Sequence, residues 1–203
     1  MITVKKMNIA TFLTISRVAI APVFAFVFVW GYGSGGSEWL WICFSIALLI
    51  ELSDLFDGTL ARARGEVTDF GKVADPVADS VSRQTIFISF MLTGIIPLWM
   101  YLIFFYRDAF MQLLRIVCAS SGVVLAARKS GKAKAVLQGI ATFGVLAAVF
   151  VMHGSASGAE AKIWRGQHPG FWIMLIPAIY TLLSVIDYII PNRKLIVKMM
   201  KKK

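Results

Sequence analysis

Four aspartates, Asp54, Asp57, Asp75 and Asp79, fall close together in a chain whose other long segments are almost wholly apolar. Helical spacing puts Asp54, Asp57, Gly58 and Ala61 on one stripe (i, i+3, i+4, i+7) and Gly71, Asp75 and Asp79 on a second (i, i+4, i+8). Such acids are costly near hydrocarbon, at about 2.5–3.5 kcal/mol each. Two unit charges about 4 Å apart also repel by roughly 4 kcal/mol at an effective dielectric near 20. Divalent cations would offset both terms. With hard oxygen ligands and no histidine or cysteine nearby, the pattern predicts Mg2+ or Mn2+, as one ion or two, rather than zinc. Paired ions suit a diphosphate, whose charge they would neutralise. Gly58, Ala61 and Gly71 remove bulk where a planar base or a phosphate must approach the backbone. The competing reading is a salt-bridge cluster with Arg62, Arg64 and Lys72, which would need no glycines in register.

The elements that must carry these acids are membrane helices. The 203-residue chain is 58% hydrophobic, with apolar runs long enough for a bilayer core that takes roughly 20 helical residues. Apolar segments at about 9–30, 38–56, 73–98, 99–126, 135–152 and 171–190 predict six transmembrane helices in an all-α fold, one integral membrane domain over 1–203. Between them lie GYGSGGSE (31–38), the polar ARARGEVTDFGK stretch, a short break from Thr93-Gly94 to Pro97, ARKSGKAK (127–134) and HGSASGAEAKIWRGQH (153–168).

Most basic residues fall on one side of this arrangement, from Lys5 and Lys6 through Arg62, Arg128 and Lys132 to the terminal lysines, with Lys162 and Arg165 opposite. The positive-inside rule then places both termini in the cytoplasm, with the acids facing it at the inner membrane. Trp30, Trp39, Trp41, Trp99, Trp164 and Trp172 map to the outer ends of the spans, where indole rings anchor. A net charge of +10 does not point to nucleic acid, because the basic residues sit between apolar segments and not on a water-soluble surface. Cys43 and Cys118 lie in apolar runs, so no disulfide framework is expected. The first apolar stretch lacks a small-residue cleavage site and is expected to remain as an anchor. MITVKKMN reads as a short N-terminal interfacial helix, and IVKMMKKK as a tail adsorbed to anionic headgroups.

Written out, the acidic pattern is D-x2-D-G-x2-A-R-x8-G-x3-D-x3-D, matched here without gap or substitution. It resembles the signature of the CDP-alcohol phosphotransferase family. That resemblance implies six transmembrane helices, a binuclear metal site, a homodimer, and transfer of a phosphatidyl or similar group from a CDP-linked donor to an acceptor hydroxyl with release of CMP. By position it makes Asp54, Asp57, Asp75 and Asp79 the metal ligands, with Asp79 also the general base. Gly58, Ala61, Arg62 and Gly71 would line the CDP pocket, and Arg62 can hold a phosphate by charge-assisted hydrogen bonds.

Segments outside the signature are similar to the phosphatidylglycerophosphate-forming branch of that family. These are Asn8 to Arg17, Arg107-Asp108 followed by Arg115, and Gly131 to Lys134 with Gln138. The resemblance implies CDP-diacylglycerol as donor and glycerol 3-phosphate as acceptor, both met at the lipid bilayer. Arg107, Asp108 and Arg115 lie inside an apolar span, where ionisable groups face a bundle interior or a wet cavity. Asp108 and Arg115 share a helix face and are expected to offset each other in part. Arg107, Arg115, Lys132 and Lys134 are the candidates for the acceptor's phosphate, because the surplus positive charge of the last three has no acidic partner in sequence range. Arg17 either snorkels to the headgroups or reaches the donor diphosphate.

Ser80 follows Asp79 where many members of that branch carry lysine, and Arg83 can be read as a feature of relatives that use inositol phosphate, which stays as the alternative acceptor. A transporter or a silent membrane scaffold is the alternative of another class, although no inverted repeat or broken-helix pair is visible. His153 and His168 have no ligand partner in sequence, and Asp187 suits a capping or pairing role.

Overall fold

The computed structural model describes residues 9–34, 36–63, 69–120, 129–154 and 168–200, with backbone alone given at several helix ends. All regular structure among the described residues is helical: α1 (Ile9–Ser34), α2 (Glu38–Ala63), α3 (Asp69–Leu92), α4 (Leu98–Ser120), α5 (Lys129–Gly154) and α6 (Pro169–Met200). Each expected span has its helix. Three segments, Phe12–Ser34, Ser130–His153 and Pro169–Ile190, are long and apolar enough to cross a membrane on composition alone. The helices α2, α3 and α4, of 26, 24 and 23 residues, carry the acids of the candidate sites.

Several helices outrun their apolar segments. Expected as loop, residues 31–34 complete α1, because Gly31 lies against the Trp39 ring and Ser34 donates to the Gly31 carbonyl at 2.9 Å. ARKSGKAK was likewise expected to be a loop, but α5 begins at Lys129. α6 continues through most of the basic tail to Met200. The predicted interfacial segment at residues 1–8, most of the 153–168 loop and residues 64–68 lie outside the described residues. The break before α4 is where the sequence puts it: Gly94 adopts φ 74°, which glycine takes without strain, and the Pro97 carbonyl accepts the Met100 and Tyr101 N–H groups to open the helix.

The chain divides into two compact units at Thr93–Gly94. In the first, α1 packs on both α2 and α3. Thr14, Arg17, Ala21, Phe24, Phe28 and Gly31 form a buried stripe along α1 at alternating spacings of three and four. Its far half is an aromatic core: the Phe28 ring lies 5.5 Å from Phe24, 5.1 Å from Phe90 and 5.4 Å from Trp39. Trp39 is therefore a core residue, 7% exposed, and not the surface anchor expected of it, whereas Trp30, Trp41 and Trp99 are exposed. The near half of the stripe is polar, and it is there that the acids gather.

In the second unit α6 packs on α5 and α4. α5 and α6 run antiparallel, with Ser130 donating to Asp187 at 2.6 Å, Gln138 to Thr181 at 3.3 Å, and Gly144 against Ile173. The Ser130 bond gives Asp187 the pairing role expected of it. His168 caps α6: its Nδ1 accepts the Gly170 N–H at 2.9 Å, its carbonyl accepts that of Phe171, and Pro169 fills the first helical position. Across both units large apolar side chains such as Phe26, Ile42, Leu49 and Ile140 face outward, while Arg17, Arg83, Asp108 and Lys134 are buried. This is the reverse of a water-soluble surface and suits a hydrocarbon surround.

Candidate active site

Chain direction assembles the first site. Since Arg17 contacts Asp54 and Phe28 contacts Trp39, α1 and α2 are antiparallel; since Thr14 meets Asp75 and Phe28 meets Phe90, α1 and α3 are parallel. The start of α1, the end of α2 and the start of α3 thus share one end of the unit. Both acidic rows are brought to that end as the sequence requires, with α1 as a third wall.

Each described aspartate has a defined partner there. Arg17 donates from Nη1 to Asp54 Oδ1, Thr14 Oγ1 donates to Asp75 Oδ1 at 2.7 Å, and Arg83 Nη2 donates to Asp79 Oδ1 at 2.6 Å. Arg83 also reaches Glu51 Oε1 on α2 at 3.3 Å. Arg17, Glu51, Asp54, Asp79 and Arg83, with Ile50 and Ile86, line one small cavity of about 10 Å³, room for roughly one water molecule. The arginines form its floor, 1% and 6% exposed, while Asp54 and Asp79 are 40% and 35% exposed and open outward. A cation arriving from outside would meet carboxylates before it met guanidinium groups.

Arg62, Arg64 and Lys72, named by the salt-bridge reading of the sequence, have side chains outside the described residues; among the described residues the basic partners of these acids include Arg17 and Arg83. Buried and bonded to Asp54, Arg17 does not snorkel, and its contact is with a candidate metal ligand. Arg83, readable in sequence as an acceptor residue, is engaged by Asp79 and Glu51. The side chains of Asp57, Ala61 and Arg62 and the surroundings of Gly58 and Gly71 lie outside what the structure describes, although the backbone places these residues on α2 and α3. Among the described residues no three carboxylates, histidines or cysteines converge closely enough to hold one ion. The donor chemistry nonetheless fits a hard divalent cation: carboxylates and a hydroxyl, partly open, with no sulfur or imidazole among the described residues that line the cavity.

Thr14 and Glu51 were missed in the sequence. Glu51 stands three residues before Asp54 on the same stripe, a spacing that could have found it. Thr14 stands three before Arg17 on α1, but nothing in the sequence says which helix receives it.

In the second unit the candidate phosphate residues separate. Lys134 and Arg107 both donate to Asp108 Oδ1, at 2.5 Å and 3.0 Å, and all three side chains are buried or nearly so. Lys134 therefore has an acidic partner, against the expectation from sequence, and Asp108 is met by Arg107 and Lys134 where Arg115 had been expected. The group still carries one formal positive charge in excess. Arg115 is half-buried, and Lys132 is exposed.

Comparison with known proteins decides the family. The family model described as CDP-alcohol phosphatidyltransferase matches residues 7–186, across both units. The chain belongs to the CDP-alcohol phosphatidyltransferase family. Among relatives, the CDP-diacylglycerol–glycerol-3-phosphate 3-phosphatidyltransferase of Treponema pallidum is 30% identical over 145 residues, 70% of this chain and 65% of its own length. A probable phosphatidylglycerophosphate synthase of Mycobacterium tuberculosis is 32% identical over 136 residues, covering 66% and 63%. The 3-phosphatidyltransferase of Bacillus subtilis is 31% identical over 147 residues, covering 68% and 76%. The chain thus spans a little under two thirds of the first two relatives. For a CDP-alcohol phosphatidyltransferase the acidic end of the first unit is where the family's signature lies, residues 54 to 79 falling inside the match.

Proposed function

We propose that the protein transfers the phosphatidyl group of CDP-diacylglycerol to glycerol 3-phosphate, forming phosphatidylglycerophosphate and CMP in phospholipid biosynthesis. The observation that carries this reading is the convergence of Asp54, Asp75 and Asp79, from both rows of an unbroken family signature, on one partly open end of a helical unit. The names of the relatives supply the donor and acceptor. The acceptor hydroxyl oxygen bonds to the donor's β-phosphorus, which bears the diacylglycerol. The bond from that phosphorus to the oxygen of the CMP phosphate breaks, CMP leaves, and the hydroxyl proton passes to Asp79.

Asp54, Asp57, Asp75 and Asp79 would hold Mg2+ or Mn2+, two ions, which when bound supply neutralisation of the diphosphate's charge. Gly58, Ala61, Arg62 and Gly71 would receive the CDP moiety, leaving the acyl chains in lipid. Arg107, Arg115, Lys132 and Lys134 would hold the acceptor's phosphate, for which the excess positive charge around Asp108 is suited. The setting is a cytoplasmic membrane crossed six times, with both termini and the acidic end toward the cytoplasm, as the basic loops favour, and with the homodimer that the family resemblance implies.

Purified protein given CDP-diacylglycerol, Mg2+ or Mn2+ and radiolabelled glycerol 3-phosphate should yield a labelled lipid and stoichiometric CMP. A labelled lipid from inositol phosphate, with none from glycerol 3-phosphate, would reassign the acceptor. CMP formation from neither would remove the transferase reading and leave a transporter or scaffold.

A further inference from the structure

Arg83 and Glu51 belong to no part of the family signature, yet together they tie the proposed base to the opposite helix. Arg83 lies one turn after Asp79 on α3, so the two side chains share a face, and its Nη2 holds Asp79 Oδ1 at 2.6 Å. From the same guanidinium Nη1 reaches Glu51 Oε1 on α2 at 3.3 Å. The guanidinium fork is planar and rigid, so fixing one arm on α2 restricts where the other arm can hold Asp79. Lysine, a point charge on a flexible stem, could neutralise either acid without setting that angle.

Charge leads to the same arrangement. Arg83 is 6% exposed and needs a counter-charge, since an arginine buried alone would be strongly destabilising. Were Asp79 its sole counter-ion, the proposed base would be formally neutralised by its own support. With Glu51 sharing the guanidinium, the three groups carry one formal negative charge, on the side where Asp79 opens outward at 35% exposure.

We propose that Arg83 is a positioning residue for Asp79, and that Glu51 acts through Arg83 by anchoring its fork to α2. This rests on the transferase reading for its kinetic consequence, but not for its effect on cation binding. Outer partners of ligating carboxylates are typically worth roughly 10- to 100-fold in metal affinity or activity.

The test uses full-length wild type, R83K, E51Q and the double variant E51Q/R83K, with folding checked by gel filtration and melting temperature in detergent. In folded R83K, kcat for CMP release should fall about 10- to 100-fold with the glycerol 3-phosphate KM within about twofold of wild type, and Mn2+ should bind roughly tenfold more weakly by titration. E51Q should lose less, and the double variant should be no worse than R83K, because Glu51 acts only through Arg83. An additive double variant overturns that dependence. An unchanged kcat in R83K, or a raised acceptor KM at constant kcat, overturns the positioning role, the second by placing Arg83 on the acceptor. Should R83K not fold, E51Q decides, and wild-type kcat together with wild-type Mn2+ affinity in E51Q overturns the proposal. If wild type releases no CMP, the transferase reading fails while Mn2+ titration still decides this one; no Mn2+ binding by wild type counts against both.

Discussion

Lys134 on α5 donates to Asp108 on α4 across 2.5 Å, with both side chains less than a tenth exposed. Neither residue marks the other in the sequence, yet the pair and Arg107 set the electrostatics of the second unit. Replacing Asp108 with alanine leaves two buried cations without their shared carboxylate. Breaking a buried pair from one side costs about 3–5 kcal/mol. Asp108→Ala should therefore unfold at markedly lower temperature in detergent than Lys134→Met, in which Asp108 keeps Arg107. Equal melting temperatures would show that the group contributes little to stability.

Asp79→Asn removes the proposed proton acceptor and keeps an oxygen at nearly the same place. Loss of a positioned base typically costs 10²- to 10⁴-fold. CMP release should fall by about that factor, while Mn2+ affinity, read by titration, should fall only about tenfold, because Asp54, Asp57 and Asp75 keep their charge. Turnover equal to wild type would exclude Asp79 as the base.

Gly31 is a packing position and not a loop residue. A Cβ placed there would lie 2.4 Å from Trp39 Cδ2, inside any permitted contact. Gly31→Ala gains about 1 kcal/mol of helix propensity but overpacks a site where such insertions cost about 1–3 kcal/mol. A net loss of up to about 2 kcal/mol is expected, and Trp39 fluorescence should shift as its ring is displaced. An alanine variant more stable than wild type would contradict the observed contact.

His168 makes the α6 cap sensitive to acid. Burial, and next the charge of nearby His153, push its imidazole down from 6.5 to about 4. Between those values the unfolded chain binds more protons than the folded one, so stability is intact above pH 6.5 and falls as pH drops toward 4. Protonation also removes the lone pair that accepts the Gly170 N–H. Hydrogen exchange at Gly170 and Phe171, corrected for its intrinsic pH dependence, should show protection declining over that interval. His168→Asn, which can cap without titrating, should abolish the decline, and a decline that persists in it would place the titrating group elsewhere.

Composition and spacing were enough to define six helices, the break at Gly94, the two acidic stripes and the family signature. Those features depend on local periodicity, on backbone groups that must pair within a segment in an apolar surround, and on glycine at a left-handed turn. The extents of α1 and α5 were not legible, because glycine- and lysine-rich stretches read as loop until a neighbour such as Trp39 packs on them. Partner choice belonged to the tertiary structure alone. Arg17 with Asp54, Thr14 with Asp75, Arg83 with Glu51, and Lys134 with Asp108 each join residues on different helices. Helical period fixes the face on which a side chain stands, and only packing decides which other face it meets.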